Sequence, residues 1–347
     1  MEWTRGPVLG RGSTATVSAA TSAHGDLFAV KSVNFQHASS LQKEQHFLSI
    51  LNSPYVVSYK GCDTTTENNN IIYNMFMDYM SGGSLIDLIK TRNGLNELEI
   101  ARYTRQILQG LEYIHSNGIV HCDIKGRNIL INESGAKIGD FGCAKWADQA
   151  APICGTPMFM APEVARGEEQ GFPADVWAVG CTVIEMATGD SPWPNVDDPV
   201  AILYRIAFSS KVPGIPDGFS DQAMDFVSKC LIRDPRRRWT AIELLEHPFI
   251  RQFDDALNQI VCEKIRTESG SPTSVLDQDV WDSMKETSSV GIDFDQYSLR
   301  QIIKQLACKS EMPNWKCEKG ETDWITVRTN RDVDGRANSG AVTGGGR

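Results

Sequence analysis

The sequence predicts an α+β fold, with its strands gathered in roughly the first eighty residues and its helices after them. Three observations carry this. Phe28-Ala29-Val30-Lys31 alternates in the manner of a strand, and Ile71-Ile72-Tyr73-Asn74-Met75-Phe76-Met77 reads as a buried one. The segment opened by Asp175-Val176-Trp177-Ala178-Val179-Gly180 stays largely apolar through Met186 and stops at Gly189, and a helix apolar nearly all round must be buried. After Phe253 the pattern weakens, so the rest reads as a largely irregular tail.

The remaining elements follow in order. Leu9-Gly10-Arg11-Gly12-Ser13-Thr14-Ala15-Thr16-Val17 reads as a hairpin whose tip is free of bulk, as backbone N–H groups laid over phosphates would require. Taken singly, such a turn is as often just a hairpin. Ser39 and Ser40 can cap a helix, Ser39 with Gln42 in capping-box spacing, and Leu41, Leu48 and Leu51 mark its apolar side. Glu44 is the only acidic residue in it. Asp78-Tyr79-Met80 leads into the turn Ser81-Gly82-Gly83, and a last helical region runs from Asp234-Pro235 to His247-Pro248-Phe249. In the tail, the stretch from Asp293 to Cys308 allows one short helix, with Tyr297, Ile302, Ile303 and Leu306 loosely on one side, and Asn338 to Arg347 reads as disordered.

The chemistry is concentrated in His121-Cys122-Asp123-Ile124-Lys125-Gly126-Arg127-Asn128, followed by Asp140-Phe141-Gly142. Three groups needed for phosphoryl transfer stand there in order. Asp123 can orient and deprotonate a hydroxyl, while Asn128 and Asp140 can hold Mg²⁺ against the phosphates of ATP. With the Gly-rich turn, Lys31 and Ala161-Pro162-Glu163, this order resembles the eukaryotic protein kinase superfamily over roughly residues 2–253.

The resemblance implies a bilobal fold: a small antiparallel-sheet N-lobe with one helix (2–77), a hinge (78–80), and a larger, mainly helical C-lobe (81–253), followed by a regulatory or docking tail (254–347). It assigns Gly10, Arg11, Gly12, Ser13, Thr14, Ala15 and Thr16 to the loop over the phosphates, with Ala15 where a third glycine is usual. Lys31 would contact the α- and β-phosphates and pair with Glu44. Leu9, Val17, Ala29 and Leu130 would sandwich the adenine, Met77 would flank it, and the backbone from Asp78 to Met80 would bond its edge. Lys125 would contact the moving γ-phosphoryl, Thr156 would brace Asp123 and Lys125, and Arg238 would pair with Glu163.

Lys125 followed by Gly126 looks like the Ser/Thr class. Gly155-Thr156-Pro157-Met158-Phe159-Met160-Ala161-Pro162-Glu163-Val164 is similar to a signature of plant MEKK-type mitogen-activated protein kinase kinase kinases. His-Cys-Asp at 121–123, the early start of the motifs and the tail's Ser271-Pro272-Thr273-Ser274-Val275-Leu276-Asp277 look like a short subgroup of that family, linked to abscisic acid and stress responses. The implied partner is a protein substrate, a mitogen-activated protein kinase kinase, with regulators binding the tail and Ser271 offered to a proline-directed kinase. The rival reading is a pseudokinase scaffold. It would predict loss of Lys31, Asp123, Asn128 or Asp140, and all four are present.

Bulk properties narrow the classes further. A net charge of −10 and a pI near 5.2 argue against nucleic acid as the main ligand. No apolar run approaches the about 18 residues of a membrane span, which speaks against a receptor kinase, and no signal peptide or lipidation motif is evident. Nine cysteines, an odd number without C-x-x-C spacing, point to reduced thiols and an intracellular setting, cytoplasm or nucleus. Cys143 reads as a buried inert thiol rather than a redox sensor.

Two features bear on activation. Kinases with Arg before the catalytic Asp need an anion to quiet that positive charge, and here the position is Cys122. From Cys143 to Gly155 there is no Ser, Thr or Tyr. The expectation is activity without activation-loop phosphorylation.

Overall fold

The computed structural model describes residues 2–12, 15–194, 196, 198–252 and the strand Ile325–Val327. The chain divides into two compact units. Of the described residues, those up to Gln45, Tyr59–Tyr79 and the strand at 325–327 fall in the first, and His46–Ser58 and those from Met80 to 252 in the second. The expected N-lobe of residues 2–77 thus gives up 46–58 to the second unit.

In the first unit an antiparallel sheet is built from β1 (Trp3–Arg11), β2 (Thr16–Ser22), β3 (Leu27–Asn34), β4 (Tyr59–Glu67) and β5 (Asn70–Met77). The strand order is β1-β2-β3-β5-β4, with Ile325–Val327 hydrogen-bonded outside β1 as a sixth, antiparallel strand. That strand is the one described piece of the tail. The other tail expectations (the helix within 293–308, the Gly-rich end and Ser271-Pro272) lie outside the described residues.

Side chains alternate across a strand, so register decides what shares a face. Val30 lies opposite Phe76, and Trp3, Ala20 and Phe28 join them in one buried cluster. Its rings meet edge-on, Trp3–Phe76 at 5.4 Å and Phe28–Phe76 at 5.3 Å, the arrangement that ring quadrupoles favour. Two residues along on the same face the packing turns polar: Arg5 donates to Ser32 and Asn74 and pairs with Glu67 at 2.7 Å. On the opposite face Val17 lies across from Lys31, and Ala29 across from Met77.

Two expectations are corrected here. Ser39 is the first residue of α1 (Ser39–Ile50) rather than its cap, because the Gln42 N–H donates to the Ala38 carbonyl at 2.8 Å and the helix starts one residue early. Ile71 is 53% exposed, so the strand is buried only from Tyr73 onward. Its first residues flank the tight Asn68-Asn69 turn, both residues at positive φ, which holds that end of the hairpin in solvent.

The second unit is mainly helical: α2 (Leu85–Arg92), α3 (Glu97–Ser116), α4 (Pro162–Ala165), α5 (Phe172–Thr188), α6 (Pro199–Phe208), α7 (Asp221–Cys230) and α8 (Ala241–Leu245). Capping boxes start α2, α3 and α8, at Ser84 with Asp87, Asn96 with Glu99 and Thr240 with Glu243. The buried apolar helix is α5. It begins three residues before Asp175, with Pro173 in its first turn, and ends on Gly189 at φ 75°. Between the helices run the short strands β6 (Ile119–Val120), β7 (Ile129–Asn132), β8 (Gly135–Ile138) and β9 (Lys145–Trp146), where β6 pairs with β9 and β7 with β8.

Arg238 and Glu163 meet in this unit in a two-pronged pair of 2.7 and 2.9 Å, with Arg238 also donating to the carbonyls of Pro173 and Ile232. The guanidinium lies over the Trp177 ring. Among the described residues, no helix is long and apolar enough to cross a membrane.

Candidate active site

In the first unit the polar centre is Lys31. Val30 is drawn into the aromatic cluster, so the next residue along β3 must point to the other face. There the Lys31 ammonium lies 2.7 Å from Glu44 Oε2, with the Glu44 side chain only 4% exposed. The sheet register sets Val17, Ala29 and Met77 on the same face as Lys31. Leu9, Gly10 and Arg11 end β1, and the Gly12 N–H donates to the Ala15 carbonyl at 2.8 Å, closing the turn ahead of Thr16. Ser13 and Thr14 lie outside the described residues. Asp78 accepts from Lys60 at 3.2 Å.

In the second unit the site is built on the loop after β6. Asp175, at the start of α5, accepts the His121 and Cys122 backbone N–H groups, each at 2.8 Å. These bonds hold Cys122 at φ 68°, a left-handed conformation that a side chain rarely adopts unless its surroundings impose it. The buried His121 ring approaches the Gly139 carbonyl with Nε2 (3.1 Å) and the Asp123 N–H with Nδ1 (3.3 Å). A carbonyl requires a donor and an N–H an acceptor, which places the ring proton on Nε2.

Asp123 is gripped on both carboxylate oxygens. Oδ1 accepts from the Thr156 hydroxyl (2.7 Å) and the Thr156 N–H (3.0 Å). Oδ2 accepts from Lys125 Nζ (2.6 Å) and Asn128 Nδ2 (3.0 Å). Lys125 Nζ also donates to Thr156 Oγ1 at 2.6 Å, which leaves that hydroxyl's proton for Asp123. Four donors from three residues thus fix the orientation of one carboxylate.

Asn128 Nδ2 further donates to the Asp123 carbonyl at 2.8 Å, so the amide nitrogen faces Asp123 and the amide oxygen is turned away. Asp140 is held at φ 61°, and the Gly139 N–H before it donates to the Asn128 carbonyl at 2.9 Å. A carboxylate and an amide oxygen are hard donors of the kind Mg²⁺ takes, so this pair fits such an ion. Leu130 follows in β7, bridged to Ser84.

The sequence reading missed two residues that shape this loop. Asp175 is one. Glu185 is the other: it accepts the Gly126 N–H at 2.9 Å, and a Cβ on Gly126 would stand 2.6 Å from that same oxygen. Burial raises the pKa of Glu185, while the Gly126 N–H and the nearby Arg127, Lys125 and Lys90 oppose that shift. A usable signal existed, since Asp175 and Glu185 are the only acids in an otherwise apolar helix. Cys143 is half-buried rather than buried. Its thiol pKa is pushed up by hydrogen bonding with Cys154 and by burial.

A sequence profile of the protein kinase domain matches residues 3–250. Mitogen-activated protein kinase kinase kinase 17 of Arabidopsis thaliana is 47% identical, the match covering 94% of this chain and 93% of that protein. Mitogen-activated protein kinase kinase kinase 18 of the same plant is also 47% identical, over 95% of this chain and all of that protein. Mitogen-activated protein kinase kinase kinase A of Dictyostelium discoideum is 37% identical over 80% of this chain, but only 30% of its own length is matched.

Proposed function

Because the chain belongs to the protein kinase family, and within it to the mitogen-activated protein kinase kinase kinases, we propose that it transfers the γ-phosphoryl of ATP to a Ser or Thr of a mitogen-activated protein kinase kinase. The observation that carries this reading is the Asp123 carboxylate, oriented by Thr156, Lys125 and Asn128. A carboxylate so held can accept the proton of a substrate hydroxyl as its oxygen bonds the γ-phosphorus and ADP leaves.

Lys125, bonded to both Asp123 and Thr156, would steady the transferring group. Lys31, held by Glu44, positions the α- and β-phosphates. By the resemblance, Leu9, Val17, Ala29 and Met77 of the first unit and Leu130 of the second are assigned to the adenine, residues 78–80 to its edge, and residues 10–16 to the phosphates. Asn128 and Asp140 would hold Mg²⁺, which when bound neutralises charge on the phosphates.

We further place the reaction inside the cell, in cytoplasm or nucleus, in a stress or abscisic acid cascade. The resemblance to plant relatives supports this.

The test is to incubate the full chain from bacteria with ATP, Mg²⁺ and a catalytically dead mitogen-activated protein kinase kinase, then map the phosphopeptides. Phosphate on activation-loop Ser or Thr of the substrate, absent with Asp123→Asn, is the expected result. Binding of that substrate with no phosphate incorporated would replace the reading with the scaffold one.

A further inference from the structure

In this protein no hydroxyl occurs between Cys143 and Gly155, and the residue before Asp123 is uncharged. Some other contact must therefore seat the end of that segment against Asp123. Its beginning is tied by the β6–β9 pairing and by the Ala147 N–H on the Gly118 carbonyl at 2.8 Å. Its end meets Gln170, a side chain left 6% exposed between α4 and α5.

The Gln170 carboxamide bonds Cys154 on both backbone groups. Nε2 donates to the Cys154 carbonyl at 2.9 Å, and Oε1 accepts the Cys154 N–H at 3.4 Å. Nε2 also reaches the Cys122 carbonyl at 3.4 Å. Only one orientation of the amide serves these partners, since the flipped form would turn its oxygen toward two carbonyls. The shortest bond lies in the ordinary range, and the two long ones complete a link between the segment and the loop of Asp123.

Gly155 closes the contact. It sits at φ 114°, and a Cβ there would stand 2.4 Å from the Cys122 carbonyl oxygen, so the backbone passes too close for any side chain. The next residue is Thr156, whose hydroxyl and N–H both bond Asp123. Gln170 thus bonds the first of three consecutive residues, Cys154 to Thr156, that meet the loop of Asp123.

We propose that Gln170 is a positioning residue: its amide clamps Cys154 to Cys122 and thereby delivers Thr156 to Asp123, in place of a phosphate. This rests on the kinase reading for its consequence in catalysis, but not for the clamp itself. The clamp bonds none of the residues assigned to the nucleotide, so its loss should spare nucleotide binding.

The test compares Gln170→Ala with Gln170→Met, which keeps the length and removes the amide. Both should lower kcat/KM for the protein substrate about tenfold, the scale expected when buried backbone groups lose their partners, with KM for ATP unchanged within about twofold. Hydrogen exchange of the Cys154 and Thr156 amides should quicken by about tenfold or more. Wild-type kcat/KM and wild-type exchange in Gln170→Met would overturn the proposal, including when Gln170→Ala fails to fold. Should the unaltered protein prove to have no kinase activity, the proposed function falls, and exchange at Cys154 alone decides the clamp.

Discussion

The Thr156 hydroxyl and the Thr156 backbone N–H both donate to the same oxygen of Asp123, at 2.7 and 3.0 Å. A side chain with no bond to spare there is a brace, and its loss should be felt at the carboxylate. Thr156→Ser keeps the hydroxyl and should retain most activity. Thr156→Ala should lower kcat roughly ten- to a hundredfold, the range for one hydrogen bond to a charged group. Steady-state kinetics on a protein substrate checks both, and equal rates for the two variants would remove Thr156 from the mechanism.

The same geometry bears on activation. A phosphate on Thr156 would bring negative charge against the Asp123 carboxylate and remove the hydroxyl proton that the carboxylate accepts. Protein co-expressed in bacteria with a phosphatase, and shown by mass spectrometry to be unmodified over residues 140–163, should be active. Material that is inert in this state and gains activity only on Thr156 phosphorylation would end this reading.

Asp123 and Lys31 should separate in their effects. Asp123→Asn removes the proposed base and should cut turnover by about 10²–10⁴-fold with ATP affinity nearly unchanged. Lys31→Met removes the proposed phosphate contact and leaves Glu44, a buried acid, without the 2.7 Å partner it now has. It should abolish activity with the protein still folded by circular dichroism. Near-wild-type turnover in either variant would contradict the assigned roles.

Glu163 and Arg238 form a pair whose side chains are 4% and 0% exposed. Removing one partner strands a buried charge, so Arg238→Met should cost about 3–5 kcal/mol. Adding Glu163→Gln should recover part of that loss. Urea unfolding of the single and double variants measures it, and a single variant within about 1 kcal/mol of wild type would show that the pair is not structural.

Thiol reactivity should follow burial. Cys181 and Cys230 are buried, and desolvation pushes both thiols up, with Cys230 adding to the effect at Cys181. Cys62 is exposed. Iodoacetamide at neutral pH should therefore label Cys62 within the native protein and reach Cys181 and Cys230 only after unfolding. Equal labelling rates by peptide mapping would mean that the second unit opens far more readily than its packing implies.

What could be read along the chain was local. Two-residue alternation in Phe28–Lys31 set Val30 and Lys31 on opposite faces, whatever each face packs against. The apolar run after Asp175 announced a buried helix, and Gly189 marked its end. Capping was misread at Ser39, where a preceding 3-10 turn extends the helix back by one residue. The order of Asp123, Asn128 and Asp140 identified the chemistry because those groups stand close together in sequence.

The constraints on that chemistry were not legible, because they come from residues far away in sequence. Asp175 reaches Cys122 across 53 positions, Glu185 reaches Gly126 across 59, and Gln170 reaches Cys122 across 48. No period or spacing encodes such contacts. They exist because the packing of α5 brings two acids from its apolar length beneath the Asp123 loop, where backbone N–H groups without water must find acceptors. Which groups could do the chemistry can be read along the chain. How they are held follows from packing alone, since a buried polar group takes whatever partner the core sets beside it.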